Sequence, residues 1–237
     1  MNKKNFDFYI EFSYSKLNIA AFNTHNQKFE YFKQYTYENY FDKNKNLNFE
    51  EINKLIEKSI LDIEKLTEEF VQDVFLIIET PESIEIKLSV CKNNEGNQIT
   101  RKEAMYLIQD ARQQILASNT DIGIIHIVVE KYILDNIYND LLPLDVKCKK
   151  FSIDIKFICF PKKLLKNFEK LFLKRQIFIN KFICTNYAKT LSFWNKEKNL
   201  CEIANLIVQG HNKQEVVSIP KIKEKTGFFE KLFHFFR

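Results

Sequence analysis

The chain has 237 residues, of which 45% are hydrophobic and 28% charged; this is ordinary for a globular protein and excludes disorder over most of its length. The net charge of +5 is spread out, with acidic residues interrupting nearly every basic cluster, so the concentrated basic face of a nucleic-acid binder is absent. The four glycines, at 96, 123, 210 and 227, exclude the glycine-rich phosphate loops. Neither GxGxxG nor GxxxxGK followed by Ser or Thr can be written, and helix N-termini are left as the remaining places for an anion.

The remaining chemistry is equally sparse. Five cysteines contain no CxxC pair, and four histidines offer no HExxH or Cys/His spacing, so neither a metal nor a cofactor is expected. There is no GxSxG nucleophile elbow, and the chain is expected not to be an enzyme. An odd number of thiols without a signal-peptide pattern points to reduced, mostly buried cysteines and a cytosolic compartment. No apolar run approaches the ~18 residues that a membrane span requires.

The chain opens on clean alternation. Phe6, Phe8, Ile10 and Phe12 fall on one face and Asp7, Tyr9 and Glu11 on the other, which predicts a half-buried strand. Strands over Leu17–Phe22 and Phe29–Tyr37 complete a meander. Asn48 with Glu51 reads as a capped helix start, followed by a stripe of Ile52, Leu55, Ile56, Ile60, Ile63, Leu66 and Phe70. Val74–Ile78 is a buried strand, ended by Thr80-Pro81-Glu82. Glu79, Glu82 and Glu85 read as a charged loop rim.

From Ser83 the order is strand, helix, strand, strand. Ser83–Val90 is a strand, and Lys92–Gln98 a polar turn around Gly96. Thr100 and Glu103 form a capping box before a stripe of Ala104, Leu107, Ile108, Ala111, Ile115 and Leu116. Ile122–Val129 is a strand that Lys131–Asp135 extends, with His126 as a satisfied core histidine. Phe151, Ile153, Ile155, Phe157 and Cys159 alternate as the last strand. A helix then runs from Pro161 through Phe172, a short strand covers Ile177–Phe182, and helical stretches span 183–194 and 199–209. Residues 210–226 are polar, lysine-rich and weakly periodic around Pro220, and read as a linker.

The end of the chain has a pattern of its own. On a helical wheel Phe228, Phe229, Leu232, Phe233, Phe235 and Phe236 fill one arc, opposite Glu230, Lys231, His234 and Arg237. Lys221, Lys223 and Lys225 precede them. A high-moment helix with an aromatic face and a basic face, too short to span, reads as an interfacial helix on anionic lipid, with Lys225, Lys231 and Arg237 facing headgroups. Six partly buried side chains yield roughly 1.5 kcal/mol each, against about 10 kcal/mol for ordering the segment. One copy is therefore expected to bind weakly and several linked copies firmly, which points to self-association.

Several motifs, in their order, resemble FtsA, the actin-like bacterial cell-division family that tethers the FtsZ ring to the inner membrane. The family's opening D-I-G-T-S-K turn corresponds to Glu11-Phe12-Ser13-Tyr14-Ser15-Lys16, matching at Ser15 and Lys16. Its H-V-I-P-x-x-Y-x-[IL]-D segment is met at His126, Tyr132 and Asp135, and its T-x-x-[DE] helix start at Thr100 and Glu103. The strand–helix–strand–strand order over 83–160 is that of the subdomain the family inserts into its first lobe, and the tail resembles its membrane-targeting helix. After Asn195 the family's D-x-G-G-G-T and second lobe have no counterpart, so ATP binding is not implied.

The resemblance implies an α/β (α+β) fold: a truncated actin-like (ribonuclease-H-like) subdomain over 1–82 and 161–209, the inserted subdomain over 83–160, a linker over 210–226 and a membrane-binding helix over 227–237. It implies a cell-division adaptor on the cytoplasmic face of the inner membrane, at midcell, recruiting divisome proteins, with FtsZ as one candidate. The first alternative is a PilM-like scaffold of a pilus or secretion system. The second is a degenerate ATP-binding protein in which Ser13, Ser15 and Lys16 still hold phosphate.

Overall fold

The computed structural model describes residues 5–36, 49–191 and 198–216. Two sheets make up its frame. The first is built from β1 (Phe6–Phe12), β2 (Lys16–Asn23), β3 (Lys28–Thr36), β4 (Asp73–Ile78) and β9 (Phe178–Cys184), in the order β3-β2-β1-β4-β9. β1, β2 and β3 form an antiparallel meander, while β4 runs parallel to β1 and β9 parallel to β4. Two parallel neighbours require crossover connections, and the helices supply them. α1 (Phe49–Thr67) leads into β4, and α3 (Lys162–Leu173) leads into β9. This meander followed by parallel strands is the order expected of an actin-like, ribonuclease-H-like subdomain.

The second sheet interrupts the first between β4 and α3. Its strands β5 (Ile84–Asn93), β6 (Ile122–Leu134), β7 (Ile137–Asn139) and β8 (Lys150–Pro161) lie in the order β5-β8-β6-β7, all antiparallel, with α2 (Arg101–Ser118) against one face. This is the predicted strand–helix–strand–strand unit plus one short hairpin strand. α2 starts as predicted: Thr100 Oγ1 accepts from Glu103 N at 3.2 Å, and Thr100 N donates to Glu103 Oε2 at 3.1 Å. Asn48, the predicted cap of α1, lies outside the described residues.

β8 is the hinge of the packing. Phe157, Cys159, Ile153 and Ile155 point into a core shared with α2, whereas Ile158 and Phe160 join Val128 in the core of the first sheet. Alternation on a strand covered on both faces thus divides one strand between two cores. Gly123 on β6 has its place for the same reason: a Cβ there would meet Leu165 Cδ1 of α3 at 2.5 Å.

Four expectations change. β1 is central rather than half-buried: Tyr9 and Glu11 are as buried as Phe8 and Ile10, because β2 and β4 flank it and α5 (Leu200–Val208) covers its other face. Leu66 and Phe70 leave the stripe of α1 and are exposed: Leu66 lies in the helix's last turn, beyond its last buried residue, Ile63, and Phe70 lies past its end at Thr67. The helix expected over 183–194 is α4 (Thr185–Thr190), because β9 continues through Cys184; residues 192–197 lie outside the described residues. Finally, the linker does not begin at Gly210, which ends α5 with φ of +76°. Residues 212–216 turn back and pair with β6.

Candidate functional site

The β1–β2 turn carries Ser13, Ser15 and Lys16, and the structure brings all three to the rim of one polar cavity of about 480 Å³. Glu11, Asn18, Glu79, Lys189 and Asn199 complete much of its lining. Chain order explains the meeting: the turn projects from the C-terminal end of β1, Glu79 follows β4 beside it, and α4 and the start of α5 close over that end of the sheet.

Two backbone donors of the turn, those of Ser13 and Tyr14, are already engaged. Ser13 N donates to Lys16 O at 3.0 Å, closing the hairpin, and Ser13 Oγ donates to the same oxygen at 3.2 Å. Tyr14 N donates to Glu79 Oε2 at 3.3 Å. Glu79 is itself held, through its N–H on Phe12 O at 2.8 Å and through Lys189 Nζ on Oε1 at 3.1 Å. A phosphate-cradling loop needs free N–H groups aimed at the ligand; here a carboxylate occupies that role.

The floor of the cavity is partly engaged. Glu11 accepts a hydrogen bond from Asn18 Nδ2 at 2.7 Å. Glu11 Oε1 and Asn18 Oδ1 are buried without a partner. Burial pushes the Glu11 carboxyl up, with the Asn18 bond and Lys16 pulling the other way. The raised carboxyl shares this cavity with three lysines, Lys16, Lys189 and Lys198. Among the described residues no group of three His, Cys, Asp or Glu side chains is placed to hold a metal ion.

A second polar centre lies where the two sheets meet, and its key member, Glu215, falls in the predicted linker. Glu215 is 7% exposed. Its Oε1 accepts from His126 Nδ1 and from Lys181 Nζ, both at 2.8 Å, and its Oε2 accepts from Tyr187 Oη at 2.8 Å. Cys184 N donates to His126 Nε2 at 3.0 Å. An amide N–H can only donate, so Nε2 carries the lone pair and Nδ1 the proton: His126 is neutral and donates to the carboxylate. Burial pushes the His126 pKa down, in agreement. Burial alone would raise Glu215, but the bond from His126 and the charge of Lys181 outweigh it and pull the carboxyl to about 2. No periodicity announces such a residue; a lone Glu in a polar stretch carries no sequence signal.

The other predicted positions divide cleanly. Phe228, Phe229, Leu232, Phe233, Phe235, Phe236, Lys225, Lys231 and Arg237 lie outside the described residues. Among the described residues no helix is long and apolar enough to cross a membrane. The described cysteines are all free; Cys148, Cys159, Cys184 and Cys201 are buried and Cys91 exposed.

No family model matches the sequence, and no curated protein matches it. Among solved structures the chain is similar to a PilM–PilN type IV pilus biogenesis complex, with TM-score 0.47 and 7% identity over 77% of this chain and 48% of that one. It is similar to the cytoplasmic domain of EpsL, an inner-membrane component of the type II secretion system of Vibrio cholerae, with TM-score 0.38, 7% identity and coverage of 77% and 58%. It is also similar to a Bacteroides thetaiotaomicron protein of actin-like ATPase fold and unknown function, with TM-score 0.34, 10% identity and coverage of 78% and 54%. The chain thus spans between 48% and 58% of these three structures. The strand order described above carries the fold assignment.

Proposed function

We propose that this chain is a non-catalytic actin-like scaffold that holds a multiprotein machine at a membrane surface. The observation that carries the non-catalytic half is the spent turn: the N–H groups of Ser13 and Tyr14, which a phosphate would need, are bonded to Lys16 O and to the Glu79 carboxylate. An anion entering there would have to displace a carboxylate held by Lys189. The membrane half rests on the amphipathic pattern of residues 227–237.

Between a cell-division ring and a pilus or secretion assembly, we place the second first. The residues that carry the resemblance to FtsA have structural work here. His126 is buried in the seam between the sheets. Asp135 accepts from the backbone N–H of Lys149 and Lys150 at 3.0 and 2.8 Å, and Tyr132 lies parallel to Phe151, ring centroids 6.4 Å apart. They support the fold and leave nothing specific to division, so a scaffold of the PilM kind accounts for them equally.

The test pairs two measurements on the full chain. Titration with Mg-ATP should give no binding at micromolar concentration, and micromolar affinity would overturn the non-catalytic half. A fluorescent fusion should sit at the cell envelope and become diffuse on deletion of 227–237. Midcell bands would return the division reading to first place, and diffuse signal from both constructs would remove the membrane half.

A further inference from the structure

The five residues after α5 and its Gly210 stop make an unusual set of contacts for a segment so rich in charge. Val129 N donates to Gln214 O, and Val216 N to Ile127 O, each at 2.8 Å, so the segment adds a short antiparallel bridge to the side of β6 that β8 leaves open. Asn212 fixes its shape: Asn212 Oδ1 accepts from Gln214 N at 3.1 Å, Asn212 O from Glu215 N at 3.1 Å, and Asn212 Nδ2 donates to Tyr187 Oη at 2.7 Å. Between these, Glu215 reaches into the seam. Its one carboxylate joins β6 through His126, β9 through Lys181 and α4 through Tyr187.

We infer that residues 212–216 are a releasable clasp, with Glu215 as its catch, that pins the root of the C-terminal segment to the seam between the two sheets. Few apolar contacts hold this segment. Val216 packs only at the margin of the α2 core, and the other side chains are polar. Its retention therefore rests on polar contacts, namely the charged catch, the Asn212–Tyr187 bond and two backbone bonds, whereas each sheet has its own apolar core. Such a segment opens at lower free energy than the body around it. Opening frees residues 211–216 and so lengthens the unpinned chain after Gly210 by about 20 Å at about 3.3 Å per residue. That lengthening matters to the scaffold only if residues 227–237 bind a membrane, as proposed above; the clasp itself does not depend on it.

Amide hydrogen exchange on the full chain tests it, in wild type, E215Q and Y187F. E215Q keeps the shape of the catch but removes its charge. It should raise exchange at Val129 and Val216 about tenfold or more, the scale of one lost charge-assisted bond, and leave β8 and β1 unchanged. Y187F, which removes a single hydroxyl, should act in the same direction but less, and decides the matter if E215Q does not fold. Unchanged exchange at Val129 and Val216 overturns the clasp. So does an increase spread equally through β8, which would make Glu215 a general prop of the core. Loss of vesicle binding on deleting 227–237 leaves these readings untouched, so failure of the membrane reading and failure of the clasp are told apart.

Discussion

Glu215 Oε1 and His126 Nδ1 lie 2.8 Å apart across 89 residues of chain, and the proton between them belongs to the histidine because Cys184 N–H occupies its other nitrogen. A pH dependence follows from this arrangement. The groups facing Glu215 are His126 from β6, Lys181 from β9 and Tyr187 from α4. Glu215 is held at about 2 in the folded protein, below its ordinary 4.5. Its contribution to stability is therefore complete above 4.5 and is lost as pH falls from there toward 2. His126 is pushed down from 6.5 by burial, so the unfolded chain takes up that proton first and stability declines as pH drops through 6.5. Both effects act in one direction. The urea midpoint of the wild type should exceed that of E215Q at pH 7, and the gap should close as pH falls from 4.5 toward 2, because the unfolded chain takes up the proton first and the folded catch, once protonated, resembles the amide. A gap that widened on acidification would contradict the assignment.

Gly123 and Leu165 make a second test, of how α3 is seated on β6. Adding a Cβ at 123 brings it to 2.5 Å from Leu165 Cδ1, the end of a flexible side chain, so the leucine must move within a packed neighbourhood. G123A should cost about 1 kcal/mol, the low end of overpacking, because Leu165 is half-buried and its end can turn aside. G123A combined with Leu165→Ala should cost less than the sum of the two single changes, because the second removes the atom that the first strikes. Additive losses in urea unfolding would mean the clash is relieved elsewhere.

The start of α2 tests local structure alone. Thr100→Ala removes the acceptor for Glu103 N and frees Glu103 from Thr100 Oγ1. The expected loss is about 1 kcal/mol, read as a lower urea midpoint with unchanged slope. Glu103→Ala should cost more, since that carboxylate also pairs with Lys92 Nζ at 2.6 Å. Equal losses would show that the Lys92 pair adds nothing measurable, as many surface pairs do.

These sites differ in how plainly the sequence announced them. The capping box was legible because its physics is local: two residue types at a fixed spacing satisfy each other. The strand–helix–strand–strand order was legible because two periodicities alternate in it. Tyr9 and Glu11 were misjudged because alternation shows which residues share a face, not whether both faces are covered. The covering helix, α5, arrives nearly 200 residues later, with Tyr9 Oη donating to Asn205 Oδ1 at 2.8 Å. β7 was missed although Asp135 and Asn136, at φ of +46° and +72°, are residue types that tolerate the left-handed turn of a tight hairpin. Ser13, Ser15 and Lys16 did converge on one cavity, but the acceptor that takes the N–H of Tyr14 between them, Glu79, follows another strand and leaves no trace in their spacing. Glu215 was illegible for the deeper reason that a buried charge has no period. Its partners at 126, 181 and 187 are defined only once the two sheets have met.

The last prediction concerns valence at the membrane, and it follows from magnitudes. On the proposed membrane reading, Phe228, Phe229, Leu232, Phe233, Phe235 and Phe236, once partly buried among headgroups, would supply roughly 1.5 kcal/mol each, and each nearby Lys or Arg would add about 1 kcal/mol on an anionic leaflet. Ordering the segment costs on the order of 10 kcal/mol, so one copy keeps only a few kcal/mol and dissociates readily. Linking two copies turns the second contact into an intramolecular one at millimolar effective concentration and raises avidity by about 10² or more. The wild-type chain should therefore co-float weakly with vesicles containing anionic lipid, and a fusion to a dimerising coiled coil should co-float firmly. Phe233→Asp in the dimer should abolish flotation, because it places a charge in the middle of the apolar arc. Replacing the anionic lipid by a neutral one should weaken both forms, and added salt should do the same, since exposed charges are screened within about 8 Å at physiological ionic strength. Tight flotation of a dilute monomer would show that the ordering cost is already met before contact, and would leave self-association without its reason.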